Sequence, residues 1–537
     1  MSRQRLLGGV SLVLLLVGPP AGATSVSSSQ RDAPALLRQV DVLLSGWRAG
    51  EAEQLLAELS DQGLPEEALA TRLAVVRFYQ GEYAEARRLL GDGGDPELRR
   101  AIQAAEELAQ GMREVSLPGG SFRVRVHPGP DEVLIPLLAE ALPRIQQANE
   151  EVFAIRPRSP IVIEVYASIE ELGQATGLTA QQIEDSGTIA ICKFNRIMIT
   201  SPRATVQGYS WLTTVSHEYL HLLINHRAFQ RVPIWLHEGL ARYNESWWSE
   251  NQPQRLLPAT EQLLLGAAAD GQLITFEEMS PSMALLPTPR HTELAFAEVL
   301  TVIDLLYRKV GRPGVNRILD SLGRGETSDA REAIARELGQ PFARFEAQWR
   351  QELRARPRSP GAPRAAAPRV RFKKADRDPL SQELEEIDRK SRDFAYLGQL
   401  LRAQRKLRGA IQEYRKAAAA SNAILPQVQN WIAATHLELA QPREALAALQ
   451  GVVERAPGYA ATHIHQGLAL ALLQEDTPAR ASFEAALGIN PFDQRVRREL
   501  LRIYRKVGDP RAEREEHALR LLASAGDAGS DGEEEAR

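Results

Sequence analysis

Apolar residues recur at helical spacing through residues 32–112, with polar residues between them. This stretch predicts helical hairpins, with Gly81 making a tight turn between Tyr79 and Tyr83. From Val115 the period changes. Residues 121–126 alternate polar and apolar, as a half-buried strand does, and a helix is expected over about 131–153. Residues 160–166 form a β-branched run and read as a strand. Residues 188–192 and 196–200 flank Lys193-Phe194-Asn195 and read as a hairpin. An apolar, helix-like run follows over 211–226, and 292–353 is helical again, ending near Trp349. Residues 115–353 therefore predict a mixed α+β domain, helix-dominated in its second half.

Beyond it, residues 354–377 are rich in Pro, Ala and Arg and show no apolar period, which predicts an extended or flexible, solvated spacer. Residues 378–522 then carry a repeat. Ala410, Tyr414 and Ala417 recur as Ala445, Leu449 and Val452, and again as Ala479, Phe483 and Ala486. Small residues at such spacing let paired helices approach, and the larger ones fill the layer between units. The period resembles the tetratricopeptide repeat, three to four units here, and the Gly81 hairpin is similar to one or two more. Residues 523–537 are Gly-, Ser- and Glu-rich and are expected to be disordered.

The chain has 537 residues, enough for two to four domains. A net charge of −4 gives no basic excess pointing to nucleic acid. Arg3 and Arg5 precede a short apolar run, residues 6–17, then Gly18-Pro19-Pro20 and Ala21-Gly22-Ala23. That order is expected of a secretory signal peptide, residues 1–23, cleaved after Ala23. Cys192 is the only cysteine, so no intrachain disulfide forms. Export without disulfides fits a bacterial periplasm or exterior. No other segment is apolar and long enough to cross a bilayer.

The chemistry concentrates at His217-Glu218-Tyr219-Leu220-His221, an H-E-x-x-H motif inside the apolar run. On a helix, residues i and i+4 share a face, so both imidazoles can reach one zinc ion with Glu218 beside it. By chance such a motif arises on the order of once per hundred chains like this. A third ligand at a continued H-x-x-G-x-x-H is excluded, because Ile224 and Arg227 occupy those positions and His226 is one residue out of register. Residues 233–241 offer a second helix carrying both His237 and Glu238. Adjacent helical positions point about 100° apart, so only one of these faces the metal. Gly239 and Ala241 are small enough to let the two helices pack closely around the ion. Cys192 in its apolar strand reads as a packed residue rather than a nucleophile, Trp247 and Trp248 as cleft lining or core, and His463 and His465 as residues of a repeat helix without a metal role.

The pair HEYLH and WLHEGLARY resembles the gluzincin branch of zinc metallopeptidases, in particular peptidase-MA-like domains joined to tetratricopeptide repeats. Residues 294–298, 307–311 and 333–349 are similar to that family's downstream helices, so the resemblance spans about 115–353. It implies an α+β zincin-like fold flanked by all-α repeat modules, with Zn2+ bound by His217, His221 and Glu238 and Glu218 as the general base. The implied activity is hydrolysis of a protein or peptide substrate, with the repeats recruiting that substrate or a protein partner. The alternative is a catalytically weak or inactive zincin-like domain in a repeat scaffold of the cell envelope. Two departures favour that alternative. Phe296 stands where such relatives often carry a tyrosine to stabilise the oxyanion, leaving Tyr243, Tyr307, His237 and His291 as substitutes. Arg242 stands one turn after Glu238, where some relatives keep an acid that orients a ligand histidine.

Overall fold

The computed structural model describes residues 33–357, 370–373, 379–385, 387–421 and 425–534. The expected signal peptide lies outside the described residues. Among the described residues, five helices come first: α1 (Ala33–Ser45), α2 (Ala49–Asp61), α3 (Glu66–Tyr79), α4 (Tyr83–Leu90) and α5 (Pro96–Ala109). The α3–α4 turn runs through Gly81 at φ 77°, a left-handed conformation that glycine adopts without steric cost. A Cβ there would lie 2.8 Å from Val162 Cγ2, so the missing side chain also lets this hairpin lie against the sheet.

That sheet has five strands: β1 (Arg113–Ser116), β2 (Phe122–Val126), β3 (Ile161–Tyr166), β4 (Ala190–Lys193) and β5 (Arg196–Thr200). Their order is β1-β2-β3-β5-β4, with β2, β3 and β5 parallel and the outer pairs antiparallel. β3 is buried along its whole length, which explains its unbroken β-branched run. Its one charged residue, Glu164, is buried and paired. Arg125 and Arg196 each approach its carboxylate to 3.1 Å, and Tyr166 donates at 2.9 Å. Tyr83 of α4 donates to the same carboxylate and accepts from Arg196 at 2.8 Å. This polar network ties the N-terminal helices to the sheet. The expected β4–β5 hairpin is present. Phe194 and Asn195 both take positive φ, the geometry that matches the twist of a two-residue hairpin. Its tip enters the N-terminal helices, where Phe194 packs on Phe78 and Tyr79.

Helices cover the sheet and extend beyond it: α6 (Leu134–Phe153), α7 (Ile169–Thr176), α8 (Ala180–Ser186), α9 (Trp211–Ala228), α10 (Ile234–Asn244), α11 (Trp247–Glu250), α12 (Pro258–Asp270), α13 (Pro289–Gly323), α14 (Ala330–Leu338) and α15 (Phe342–Ala355). α13 is two helices joined at a kink where Gly311 has φ 63°. α9 is buried almost all round and crosses the core, with Trp211, Val215, Leu220, Leu222 and Leu223 fully buried.

The C-terminal region is α16 (Pro379–Glu385), α17 (Arg389–Ala403), α18 (Leu407–Ala420), α19 (Pro426–Glu438), α20 (Pro442–Leu449), α21 (Val452–Arg455), α22 (Ala460–Leu472), α23 (Asp476–Leu487), α24 (Gln494–Val507) and α25 (Arg511–Glu534). All nine recurring residues of the repeat are buried. Gly398 and Gly467 face the rings of Tyr414 and Phe483, where added Cβ atoms would come within 2.4 and 2.5 Å. α25 continues to Glu534 through residues expected to be disordered.

One further expectation needs revising. Within the expected spacer, residues 370–373 are pinned rather than solvated. Val206 N–H donates to Arg371 O and Lys373 N–H to Ala204 O, both at 2.8 Å, and Phe372 is buried. The repeats share a core with α9, to which Ala518 and Leu522 of α25 belong. Tyr209 N–H donates to Ile489 O at 3.1 Å and Trp211 Nε1–H to Leu487 O at 3.2 Å, so the repeats seat on the start of α9. Among the described residues, no helix is long and apolar enough to cross a membrane.

Candidate metal centre

His217 and His221 lie one turn apart on α9, with ring centroids 4.6 Å apart and planes perpendicular. Ligand-type atoms of His217, Glu218 and His221 all fall within 4.8 Å of one another. α10 begins after Pro233 and brings Glu238 to them. A single carboxylate oxygen, Glu238 Oε2, lies 3.4 Å from His217 Nε2 and 3.6 Å from His221 Nε2. Of the two residues left open on α10, Glu238 therefore faces both histidines. His237 instead stacks on the His221 ring at 4.5 Å and bonds Asn225 Oδ1 through Nε2 at 3.2 Å.

The donor set fits zinc. Contacts of 3.4–3.6 Å are long for hydrogen bonds. Two ligand atoms each about 2.0–2.1 Å from one tetrahedral ion lie roughly 3.4 Å apart. Two imidazole nitrogens and a carboxylate oxygen are also the ligand types of hydrolytic zinc. Gly239 serves a different contact from the one expected. A Cβ there would lie 2.7 Å from Ile303 Cγ1 and 3.1 Å from Val299 O, so the missing side chain seats α10 on α13, not on α9.

Sequence reading missed Glu245. Its Oε2 lies 2.8 Å from His217 Nδ1, and its Oε1 accepts from Arg242 Nη1 at 2.6 Å. With Nδ1 held by this carboxylate, Nε2 is turned toward Glu238. The carboxylate expected one turn after Glu238 is supplied two turns after it, and Arg242 in the intervening position clamps it. A seven-residue spacing returns to the same helix face, so the signal was present in the sequence.

The charges are strongly coupled. Burial disfavours a charge on His217, but Glu238 and Glu245 outweigh it and raise its pKa to about 10. Burial works the same way against the Glu238 carboxylate, and the two histidines outweigh it, holding Glu238 well below the usual carboxylate range. Glu218 is the opposite case. Burial raises its pKa despite His221, His217 and a hydrogen bond from the Cys192 backbone. A carboxyl whose proton affinity is raised holds a transferred proton better than an exposed one does. His237 is held neutral, chiefly by burial and then by His221.

Other candidates fall into place. Burial pushes the Cys192 thiol well up, away from nucleophile chemistry. His226 bonds Asn195 Oδ1 at 3.1 Å, and burial lowers its pKa to about 3. Trp247 and Trp248 lie under the guanidinium groups of Arg312 and Arg144. His463 bonds Pro457 O and His465 bonds Asn430 Oδ1. Of the four substitutes for the tyrosine missing at Phe296, only His237 packs on a residue of the centre. Tyr243 stacks on Tyr307, whose hydroxyl accepts from Asn244, and His291 pairs with Thr288 on the exposed first turn of α13.

Residues 142–355 match the family described as the Peptidase MA superfamily. No curated protein matches the chain. Among solved structures, the crystal structure of MamA is 15% identical with a TM-score of 0.23, covering 28% of this chain and 88% of that one. A yeast leukotriene A4 hydrolase in complex with bestatin is 11% identical with a TM-score of 0.28, covering 76% of this chain and 67% of that one. Scores this low bear no weight on function. Residues 142–355 thus form a domain similar to the Peptidase MA superfamily, and the helical modules described above lie on either side of it.

Proposed function

We propose that the chain is an exported zinc metallopeptidase. The observation that carries this reading is the convergence of one Glu238 oxygen on the Nε2 atoms of His217 and His221, with Glu218 beside them. His217, His221 and Glu238 would hold the zinc, which when bound acidifies water and polarises a carbonyl. Glu245 fixes the tautomer of His217. Glu218 takes the proton from the attacking water and passes it to the leaving amine.

β4 would align the substrate. It is the edge strand beside α9, and Thr200 N–H donates to Ile189 O. The backbone groups of Ile189, Ile191 and Lys193 therefore face β5, and those of Ala190 and Cys192 face the open edge. The Cys192 hydrogen bond to Glu218 places that edge beside the general base. An extended peptide can add to this edge. The repeats would hold a longer polypeptide or a partner. Export rests on residues 1–23.

Metal analysis tests the proposal. Purified full-length protein should carry about one zinc per chain, lost in His217→Ala. Glu218→Gln should keep the zinc and lose peptide hydrolysis. Zinc-free wild type would end the metallopeptidase reading. Zinc-loaded protein that hydrolyses no peptide would favour the scaffold alternative.

A further inference from the structure

The two histidines of the motif are held in different ways. His217 has the Glu245 carboxylate on its Nδ1 at 2.8 Å. His221 is buried, and its Nδ1 meets no hydrogen-bond partner among the described residues. A metal-binding histidine ordinarily gives its second ring nitrogen to a carboxylate, a carbonyl or a water, which fixes the ring. Rotation of an imidazole about its Cβ–Cγ bond is otherwise broad and roughly two-fold. A contact of another kind has to hold the His221 plane.

His237 supplies it. Its ring lies nearly parallel to that of His221, at 17° with centroids 4.5 Å apart, and the His217 ring meets His221 edge-on at 90° and 4.6 Å. His221 is thus confined by a flat face and by an edge. Carbon atoms pack at about 3.5–4.0 Å, so a ring turned toward its neighbour at this separation would collide with it.

The His237 ring is itself anchored. Its Nε2 lies 3.2 Å from Asn225 Oδ1. Asn225 is buried on α9, four residues after His221 and so on the same helix face. The helix that carries His221 therefore also carries the anchor of the ring packed on it. An amide oxygen only accepts, so Nε2 carries the hydrogen of this bond. A neutral imidazole has one N–H, and this contact uses it, which leaves no donor for an oxyanion.

We infer that His237 is a positioning residue of the candidate metal centre. Stacking on His221 sets the plane of that imidazole and aims its Nε2 at the point shared with His217 Nε2 and Glu238 Oε2. The neighbours His237 and Glu238 then serve one centre through different contacts. The inference rests on the zinc reading above.

The test uses full-length protein stripped of metal and titrated with zinc against a chelator. His237→Leu fills the space without a flat face and should weaken zinc binding about tenfold or more, as loss of a supporting contact does in metal sites. His237→Phe restores the flat face and should stay within about threefold of wild type. Asn225→Ala frees the His237 ring and should weaken binding about fivefold. In the His237→Phe background it should add no further loss, because the phenyl ring gives Asn225 no hydrogen. The visible absorption of cobalt(II)-loaded protein reads the geometry around the ion. It should change in His237→Leu and match wild type in His237→Phe. Thermal melts of the metal-free variants report folding separately, and where His237→Leu does not fold, the Asn225→Ala and His237→Phe cycle decides alone. Wild-type zinc affinity in His237→Leu, equal losses in His237→Leu and His237→Phe, or an Asn225→Ala loss that persists in the His237→Phe background overturns the inference while zinc binding stands. Wild-type protein that binds no zinc fails the zinc reading and this inference with it. Protein that binds zinc and hydrolyses no peptide leaves the inference standing.

Discussion

Glu245 and Glu298 are two buried carboxylates with opposite consequences. Glu245 holds the His217 imidazole in one orientation, and carboxylates that support a metal-binding histidine typically matter 10–100-fold for metal affinity. Glu245→Gln should weaken zinc binding by about that factor in a chelator-competition titration while leaving the fold intact. An unchanged zinc affinity would remove Glu245 from the centre. Glu298 has no such partner. It is fully buried on α13, among the described residues its carboxylate accepts from Ile274 N–H alone, and burial raises its pKa from 4.5 to about 8. Between those values the folded chain holds a proton that the unfolded chain has released, so stability falls as pH rises. Its contribution is full below pH about 4.5 and is lost by about 8, on the order of 3–5 kcal/mol. Glu298→Gln cannot ionise. Chemical denaturation should find it more stable than wild type at pH 8 and similar at pH 5; the same difference at both pH values would contradict this account.

Helix placement decides whether His217, His221 and Glu238 meet. α9 contributes two of them by its own periodicity, but α10 reaches them only because Gly239 lets it lie against α13. Gly239→Ala should cost about 1–3 kcal/mol, because Val299 O is backbone and cannot move aside as a side chain can. It should also reduce zinc affinity, since Glu238 precedes the displaced residue. Thermal melts and zinc titration of one variant read the two effects separately. The elements themselves were largely legible. The β4–β5 hairpin followed from two short β-branched runs around a three-residue gap, and the repeat helices from small and aromatic residues at fixed intervals. Gly239's true contact was not legible, because a small residue announces a close approach without naming the surface it approaches.

At the scale of the molecule, the repeats and the domain that holds α9 share structure. Arg497 and Glu515 form a fully buried ion pair at 2.7 Å between α24 and α25, and α25 continues into the core that contains α9. Glu515→Ala leaves a buried guanidinium unpaired and should cost about 3–5 kcal/mol. Because the core is shared, calorimetry of the full chain should show the α9 domain and the α22–α25 repeats melting together, and shifting together in this variant. Two transitions, with only one of them moved, would make the repeats an independent module after all.

The chain alone determined the local terms. H-E-x-x-H on an apolar helix, Glu238 on the next one and the repeat period all depend on spacings within about one or two helical turns, or on one recurring interval. Tertiary structure decided the rest. It chose Glu238 over its neighbour His237 by geometry, gave His217 its orienting carboxylate, pinned residues 370–373 that sequence reads as solvated, and set the repeats against the start of α9. These are contacts between segments far apart in the chain. Their distances depend on how helices and sheet pack, and no periodicity along the sequence records that packing.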